Sequence, residues 1–147
     1  MNNVKFDIAT EKDALDVYLI DSDYEYEGYS LDSIKDCLKT ENNLNIIARI
    51  NNDAIGYISL SFVLDESELL KIVVKKNYRG KGIGKLLLNE AIQYLKERSI
   101  KTIFLEVRKS NCVAIGLYEN MGFKKISERQ NYYGVGEDAN IYRLSLE

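Results

Sequence analysis

Between Leu69 and Val107 the chain reads as a strand, a glycine turn, a long helix and a second strand, and this unit restricts the fold more than any other feature. Leu69 to Lys75 is rich in β-branched residues, which favour strands. Three glycines at alternating positions follow, in Arg79-Gly80-Lys81-Gly82-Ile83-Gly84. Ile83, Leu86, Leu87, Tyr94 and Leu95 then form a helical stripe from about Gly82 to Arg98. Thr102 to Val107 is an apolar run of strand length. Two strands joined through a helix become parallel neighbours, so the middle of the sheet is expected to contain a parallel pair.

The flanking segments extend this pattern. Val4, Phe6 and Ile8 alternate as a first strand, and Thr10 is expected to cap a helix from about Glu11 with Ala14, Leu15 and Tyr18 on its apolar face. Asp21 to Tyr29 is acidic and aromatic and reads as an irregular surface loop. Ser30 caps a second helix carrying Leu31, Ile34 and Leu38. Leu44 to Ile50 and Ala54 to Leu64 form a hairpin around Asn51-Asn52-Asp53. A last helix starts at Asn111 with Ala114, Leu117, Tyr118 and Met121 inward, and Gly122 ends it in a left-handed conformation. Phe123 to Gln130 and Asn140 to Leu146 complete a final hairpin. The expected fold is α/β, a mixed sheet of about seven strands with a central parallel pair and helices on both faces. A chain of 147 residues fits one domain, 1–147.

Composition removes several chemistries. There is no histidine, which excludes Ser-His-Asp and Cys-His nucleophilic sites and histidine-ligated metals; no metal is expected. The net charge of −3 offers no basic excess for nucleic acid, and no apolar run approaches the roughly 20 residues of a membrane span. Two distant cysteines, Cys37 and Cys112, read as reduced thiols, and the N-terminus has no apolar stretch of signal-peptide length, so the expected location is the cytoplasm.

The glycine turn has the character of an anion site. Glycines let backbone amides approach a ligand, and a helix start adds unpaired N–H groups and partial positive charge. Arg79, Lys81 and Lys85 bring cations. A Walker loop would need glycine at Arg79 and Ser or Thr at Leu86, and a dinucleotide turn would need glycine at Lys85. The alternative is a tight turn that binds nothing. Glu106 is the one carboxylate in an apolar strand, on the same face as Phe104, where a central position would cover it and suit it to general-base work. Its alternative is a strand-end glutamate paired with Arg108. Tyr118 is either a core tyrosine or a phenol that protonates a leaving group, and Asn111 has an evident use as a helix cap. Cys112 reads as a small packed residue.

Together these residues resemble a known family. Arg79-x-x-Gly82-x-Gly84 is similar to the [Q/R]-x-x-G-x-[G/A] signature of the GNAT superfamily of N-acetyltransferases, and the element order resembles it over nearly the whole chain. Leu105-Glu106-Val107-Arg108, Ser110-Asn111, Leu117-Tyr118-Glu119, Met121-Gly122-Phe123 and Asn131-Tyr132-Tyr133 are similar to the RimI-type ribosomal-protein-alanine N-acetyltransferases. The resemblance implies acetyl-CoA as co-substrate and a protein N-terminal α-amine as acceptor, such as that of an Ala-starting small-subunit ribosomal protein. It implies that the backbone of Ile72, Val73 and Val74 pairs with the pantetheine arm, and that Arg79, Gly80, Lys81, Gly82, Ile83, Gly84 and Lys85 hold the pyrophosphate. It further implies that Asn111 binds the cofactor, that Glu106 is the general base and Tyr118 the general acid, and that Tyr132 and Tyr133 border the peptide. The family's usual Pro-Trp before the second helix is replaced by Glu27-Gly28-Tyr29-Ser30, and its Asp-Pro after the cofactor strand by Lys75-Lys76-Asn77. Acetylation of a small amine and non-catalytic acyl-CoA binding are the alternative functions.

Overall fold

Apolar strand-length segments assemble into one seven-stranded sheet, ordered β1-β2-β3-β4-β5-β7-β6. The computed structural model describes residues 3–147; Met1 and Asn2, part of the expected 1–147 domain, lie outside them. The strands are β1 (Val4–Ile8), β2 (Asn43–Ile50), β3 (Asp53–Val63), β4 (Glu66–Val74), β5 (Thr102–Arg108), β6 (Lys124–Arg129) and β7 (Ala139–Ser145). The helices are α1 (Ala14–Asp21), α2 (Leu31–Lys39), α3 (Ile83–Glu97) and α4 (Cys112–Asn120). Asn51 and Asn52, at φ 51° and 71°, make the tight β2–β3 turn, because Asn tolerates left-handed backbone better than other side-chain-bearing residues.

The central pair β4–β5 is parallel, as the strand–helix–strand pattern requires. The second such unit behaves differently. β7 pairs with β5 across its whole length and with β6 on its other edge, so β5 and β6 are not neighbours. Each sheet face has its own core. On one face α3 and α4 bury Leu87, Leu88, Leu95 and Tyr118 against Ile46, Ile58, Leu105 and Val107. On the other, α1 and α2 bury Val17, Ile20 and Ile34 against Ile47, Tyr57 and Val73.

α1 departs from the sequence expectation in two ways. Glu11–Asp13 is a 3-10 turn, with the Asp13 carboxylate accepting from the Thr10 amide at 2.9 Å, and α1 begins only at Ala14. Ala14 is inward, but Leu15 and Tyr18 are exposed at 59% and 37%, and Val17, Ile20 and Asp21 are buried instead. The helix is apolar around most of its circumference, so spacing alone does not select the buried face, and the one residue that marks it is an aspartate.

Asp21 therefore corrects the surface-loop reading of Asp21 to Tyr29. It ends α1, nearly fully buried, and its Oδ1 lies 2.8 Å from Lys71 Nζ and accepts from the Tyr57 hydroxyl at 2.6 Å. Its Oδ2 accepts from the Tyr29 amide at 2.7 Å. Lys71 also donates to the Glu27 carbonyl at 3.2 Å and lies 3.8 Å and 4.2 Å from the Tyr29 and Tyr24 ring centres. Burial and the Asp21 carboxylate push the Tyr57 phenol far up, so it remains a donor. A buried ion pair contributes little by itself, but removing one partner strands the other charge. Lys71→Met is expected to cost about 3–5 kcal/mol, lowering Tm by roughly 10–15 °C for a chain of this size. Lys71→Met with Asp21→Asn should recover most of that loss in thermal denaturation followed by circular dichroism.

Candidate functional site

β4 and β5 are hydrogen-bond neighbours only from Glu66↔Thr102 to Leu69↔Leu105. Beyond that pair β4 continues to Val74 and β5 to Arg108 with no pairing between them. The parting coincides with a bulge. Leu60 faces Leu69 and Ser59 faces Lys71, which leaves Leu70 as the extra residue on β4. A bulge bends its strand and raises its twist. Here it also turns Lys71 toward Asp21 and leaves the outer edge of residues 70–74 without a strand partner. Arg79 Nε donates to the Val74 carbonyl at 2.9 Å, occupying one group of that edge.

A cleft of about 570 Å³ follows this edge. Its lining joins Ile72, Val73 and Val74 to Arg79, Gly80, Gly82, Ile83, Gly84 and Lys85 of the glycine turn, and to Asn111 of α4. Of the expected cofactor residues, Lys81 is outside the lining; its ammonium lies 5.5 Å from the Tyr78 ring centre. Gly80 and Gly82 have φ of 74° and 81°, and a Cβ on either would meet nothing within 4 Å. These glycines are needed for backbone conformation, not for space inside the protein. Gly82 is the N-cap of α3; no side chain caps the helix, and its first turn holds no acid. The unpaired amides at the start of α3 thus border the cleft.

Arg79 behaves differently from a free cation of the turn. Besides Val74, its guanidinium donates to the Asp23 carbonyl at 2.6 Å and to Glu25 at 3.1 Å. It ties the α1–α2 loop along the cleft, where Tyr24, Glu25 and Tyr26 join the lining. Asn111 caps α4 by accepting from the Ala114 amide at 3.2 Å, so its Oδ1 is used, while its Nδ2 donors have no intramolecular partner among the described residues.

A smaller cavity of about 80 Å³ occupies the opening between the parted strands. It brings together Glu106 and Arg108 of β5, Tyr118 and Asn111 of α4, Leu70 and Lys71 of β4, and Tyr24 and Tyr133 of the two flanking loops. Glu106 is on the expected face of β5, opposite Ile103, Leu105 and Val107. That face is not covered by a helix, however; the Glu106 side chain is 24% exposed, and its nearest cation is Arg129 at 3.8 Å. The alternative pairing with Arg108 fails, because Arg108 bonds to Glu137. Tyr118 is buried beside Phe123, with ring centres 5.7 Å apart, and burial pushes its phenol well up. Tyr133 is half-buried, and burial with the nearby Glu106 carboxylate lifts its phenol to about 12. Tyr132 is 47% exposed and outside the cavity lining; the Glu106 carboxylate holds its phenol above the usual value. Cys112, read as packed, is exposed on the first turn of α4. The sequence reading missed Tyr24, Tyr26, Lys71 and Arg108 as site-lining residues. A basic residue within an otherwise apolar strand was the available signal for Lys71.

Among the described residues no group of side chains forms a metal-binding cluster, and no helix is long and apolar enough to cross a membrane. A sequence model of the Acetyltransferase (GNAT) family matches residues 11–123. The ribosomal protein bS18-alanine N-acetyltransferase of Haemophilus influenzae is 44% identical over 93 residues, covering 63% of this chain and 63% of that protein, just under two thirds of its length. The Escherichia coli enzyme of the same name is 38% identical over 109 residues, 72% of this chain and 74% of that one. The crystal structure of the ribosomal-protein-S18-alanine N-acetyltransferase from Escherichia coli superposes with a TM-score of 0.91 at 31% identity, covering 98% of this chain and 94% of that chain.

The raised phenols give a pH signature. A group whose folded pKa lies above its unfolded value stabilises the fold fully below the unfolded pKa, near 10 for tyrosine, and loses that contribution as pH rises through the folded value. Stability should therefore fall above about pH 10. In ultraviolet titration at pH 11, the folded chain and Tyr118→Phe should show equal phenolate absorbance; an excess in the unsubstituted chain would show that Tyr118 ionises readily.

Proposed function

This chain belongs to the acetyltransferase (GNAT) family, and on that premise we propose that it transfers acetyl from acetyl-CoA to the N-terminal α-amine of a protein in the cytoplasm, working as one domain. The acceptor we favour is an Ala-starting small-subunit ribosomal protein, because the named relatives are bS18-alanine N-acetyltransferases. The observation that carries the reading is a pair of adjoining spaces that share Tyr24, Ile72, Asn111 and Ala114 in their lining: a long cleft along β4 and the start of α3, and a small cavity with Glu106 and Tyr118 in the gap between the strands.

The donor fits the cleft. The open edge of Ile72 to Val74 suits the amides of a pantetheine arm, which would add to β4 as a further strand does. The amides at Gly82 to Lys85 suit a pyrophosphate, and Asn111 Nδ2 can donate to the same molecule. The thioester supplies the activated acetyl group. An α-amine titrates near pH 8, so a fair fraction is already neutral at pH 7. Glu106, in contact with solvent, takes the remaining proton through water as the nitrogen attacks the carbonyl carbon. Tyr118 stays protonated at neutral pH and donates its phenol proton to the departing sulfur, whose own proton affinity rises in a buried site. Alignment of amine and thioester supplies most of the acceleration, and acid–base assistance about 10²–10⁴-fold.

The acidic stretch from Asp21 to Glu27 would suit a polyamine or a basic peptide alike, and most of its acids are engaged within the chain. Of the four acids between Asp21 and Glu27, Asp21 is held by Lys71, Asp23 accepts from the Lys76 amide at 2.9 Å, and Glu25 pairs with Arg79. These three groups fasten the loop to the cleft, while the Glu27 carboxylate is exposed.

Glu106→Gln should lower kcat about 10²-fold or more with acetyl-CoA affinity nearly unchanged, measured by thiol release with an Ala-starting peptide and by calorimetric titration. Tyr118→Phe should slow turnover at least tenfold. Unchanged kcat in either would remove that residue from the chemistry. Gly82→Val forces a β-branched residue into left-handed backbone and should weaken acetyl-CoA binding at least tenfold. Equal turnover on spermidine and on the peptide would overturn the choice of acceptor.

A further inference from the structure

Two loops of separate origin flank the gap between β4 and β5. One joins α1 to α2 and carries Tyr24 and Tyr26; the other joins β6 to β7 and carries Tyr132, Tyr133 and Glu137. Arg108, two residues beyond Glu106 on the same face of β5, lies between them. Its guanidinium is 4.5 Å from the Tyr26 ring centre on one side and 4.4 Å from the Tyr133 ring centre on the other, and it bonds to the Glu137 carboxylate. The aromatic contacts continue outward. Tyr24 meets Tyr26 edge-on at 5.6 Å, and Tyr133 meets Tyr132 edge-on at 5.0 Å. Arg129 lies 5.4 Å from the Tyr132 ring and 3.8 Å from Glu106. A chain of rings and cations thus runs around the mouth of the cavity and returns to the carboxylate that faces it.

We infer that Arg108 is a positioning residue for acceptor binding: it joins the two loops into one collar that guides an extended polypeptide N-terminus to Glu106. This rests on the acetyltransferase reading above and deepens it. The planar guanidinium suits the task because it can sit over two aromatic rings while its N–H groups hold a carboxylate. The Arg108 and Tyr133 part of the collar belongs to the acceptor side. Arg108 and Tyr133 line the small cavity, and neither lines the donor cleft. Tyr26 does line the donor cleft, so Arg108 links a wall of the donor space to a wall of the acceptor space. A planar cation between two rings and one carboxylate is matched only in part by a lysine, which is a point charge.

The test uses Arg108→Leu, Arg108→Lys, Glu137→Gln and the double variant Arg108→Leu with Glu137→Gln. Arg108→Leu should raise the KM for an Ala-starting peptide about tenfold, leave the acetyl-CoA Kd within twofold, and change kcat at saturating peptide less than threefold. Arg108→Lys should recover part of the peptide KM. The double variant should be no worse than Arg108→Leu alone, because both substitutions remove one contact. A peptide KM that does not move, or one that rises together with the acetyl-CoA Kd, would overturn the inference. So would additive effects in the double variant. Amide hydrogen exchange reads the clasp without any acceptor. Arg108→Leu should speed exchange in both residues 22–29 and residues 131–138 and leave α3 unchanged. Unaltered exchange in either loop refutes the clasp even if the peptide proves not to be the substrate, while faster exchange with no peptide turnover by the unsubstituted chain would fault the choice of acceptor and leave the clasp in place.

Discussion

The functional arrangement depends on two strands that stop touching. β4 and β5 are paired as far as Leu69↔Leu105, and the extra residue at Leu70 then bends β4 away. An intact parallel pair would satisfy its own backbone groups and leave nothing for a ligand. Parting the strands gives β4 an open edge beside the start of α3, with its unpaired amides, and gives β5 a carboxylate that looks into the gap. Both candidate binding spaces follow from that single irregularity. The cost is a hole beside the core, and the large aromatic rings of Tyr118, Tyr24 and Tyr133 border it.

A second theme is the use of cations to hold one loop. Lys71 anchors the start of the α1–α2 loop through Asp21 and two tyrosine rings. Arg79 holds its middle through Glu25 and the Asp23 carbonyl. Arg108 meets Tyr26 at the far side of the gap. Each cation comes from a different element of the site: β4, the glycine turn and β5. The acids and aromatics of that loop are therefore matched to the site itself. The buried contact at Lys71 adds little net stability but is costly to break, because either charge alone would be stranded; the exposed Arg79–Glu25 pair is screened and costs little to lose.

The sequence displayed the parts that depend on local rules. The glycine turn, the α3 stripe, the Gly122 helix end and the central parallel pair all follow from periodicity and backbone freedom. The positions of Glu106 and Tyr118 on their elements were legible for the same reason, whereas their meeting in one cavity depends on tertiary placement. The misses have specific causes. α1 is apolar on several sides, so Leu15 and Tyr18 looked inward when Val17 and Ile20 are. Asp21 looked like surface because a carboxylate usually is, and its partner Lys71 is 50 positions away in the chain. The bulge at Leu70 has no sequence mark at all, since it is defined only by the register against β3.

The order of strands has one more consequence. β7 follows β6 in the chain yet lies between β6 and β5. Until β7 is synthesised, the Ile103-Phe104-Leu105 edge of β5 has no partner on that side, and β6 has nothing to pair with. The sheet cannot therefore assemble in the order in which the ribosome delivers it. The step that completes the wall behind Glu106, the Glu106↔Ile141 pairing, comes from the last strand to emerge. A nascent chain would expose an apolar strand edge from the time β5 emerges until β7 follows, and only then would Glu106 gain the strand that backs it.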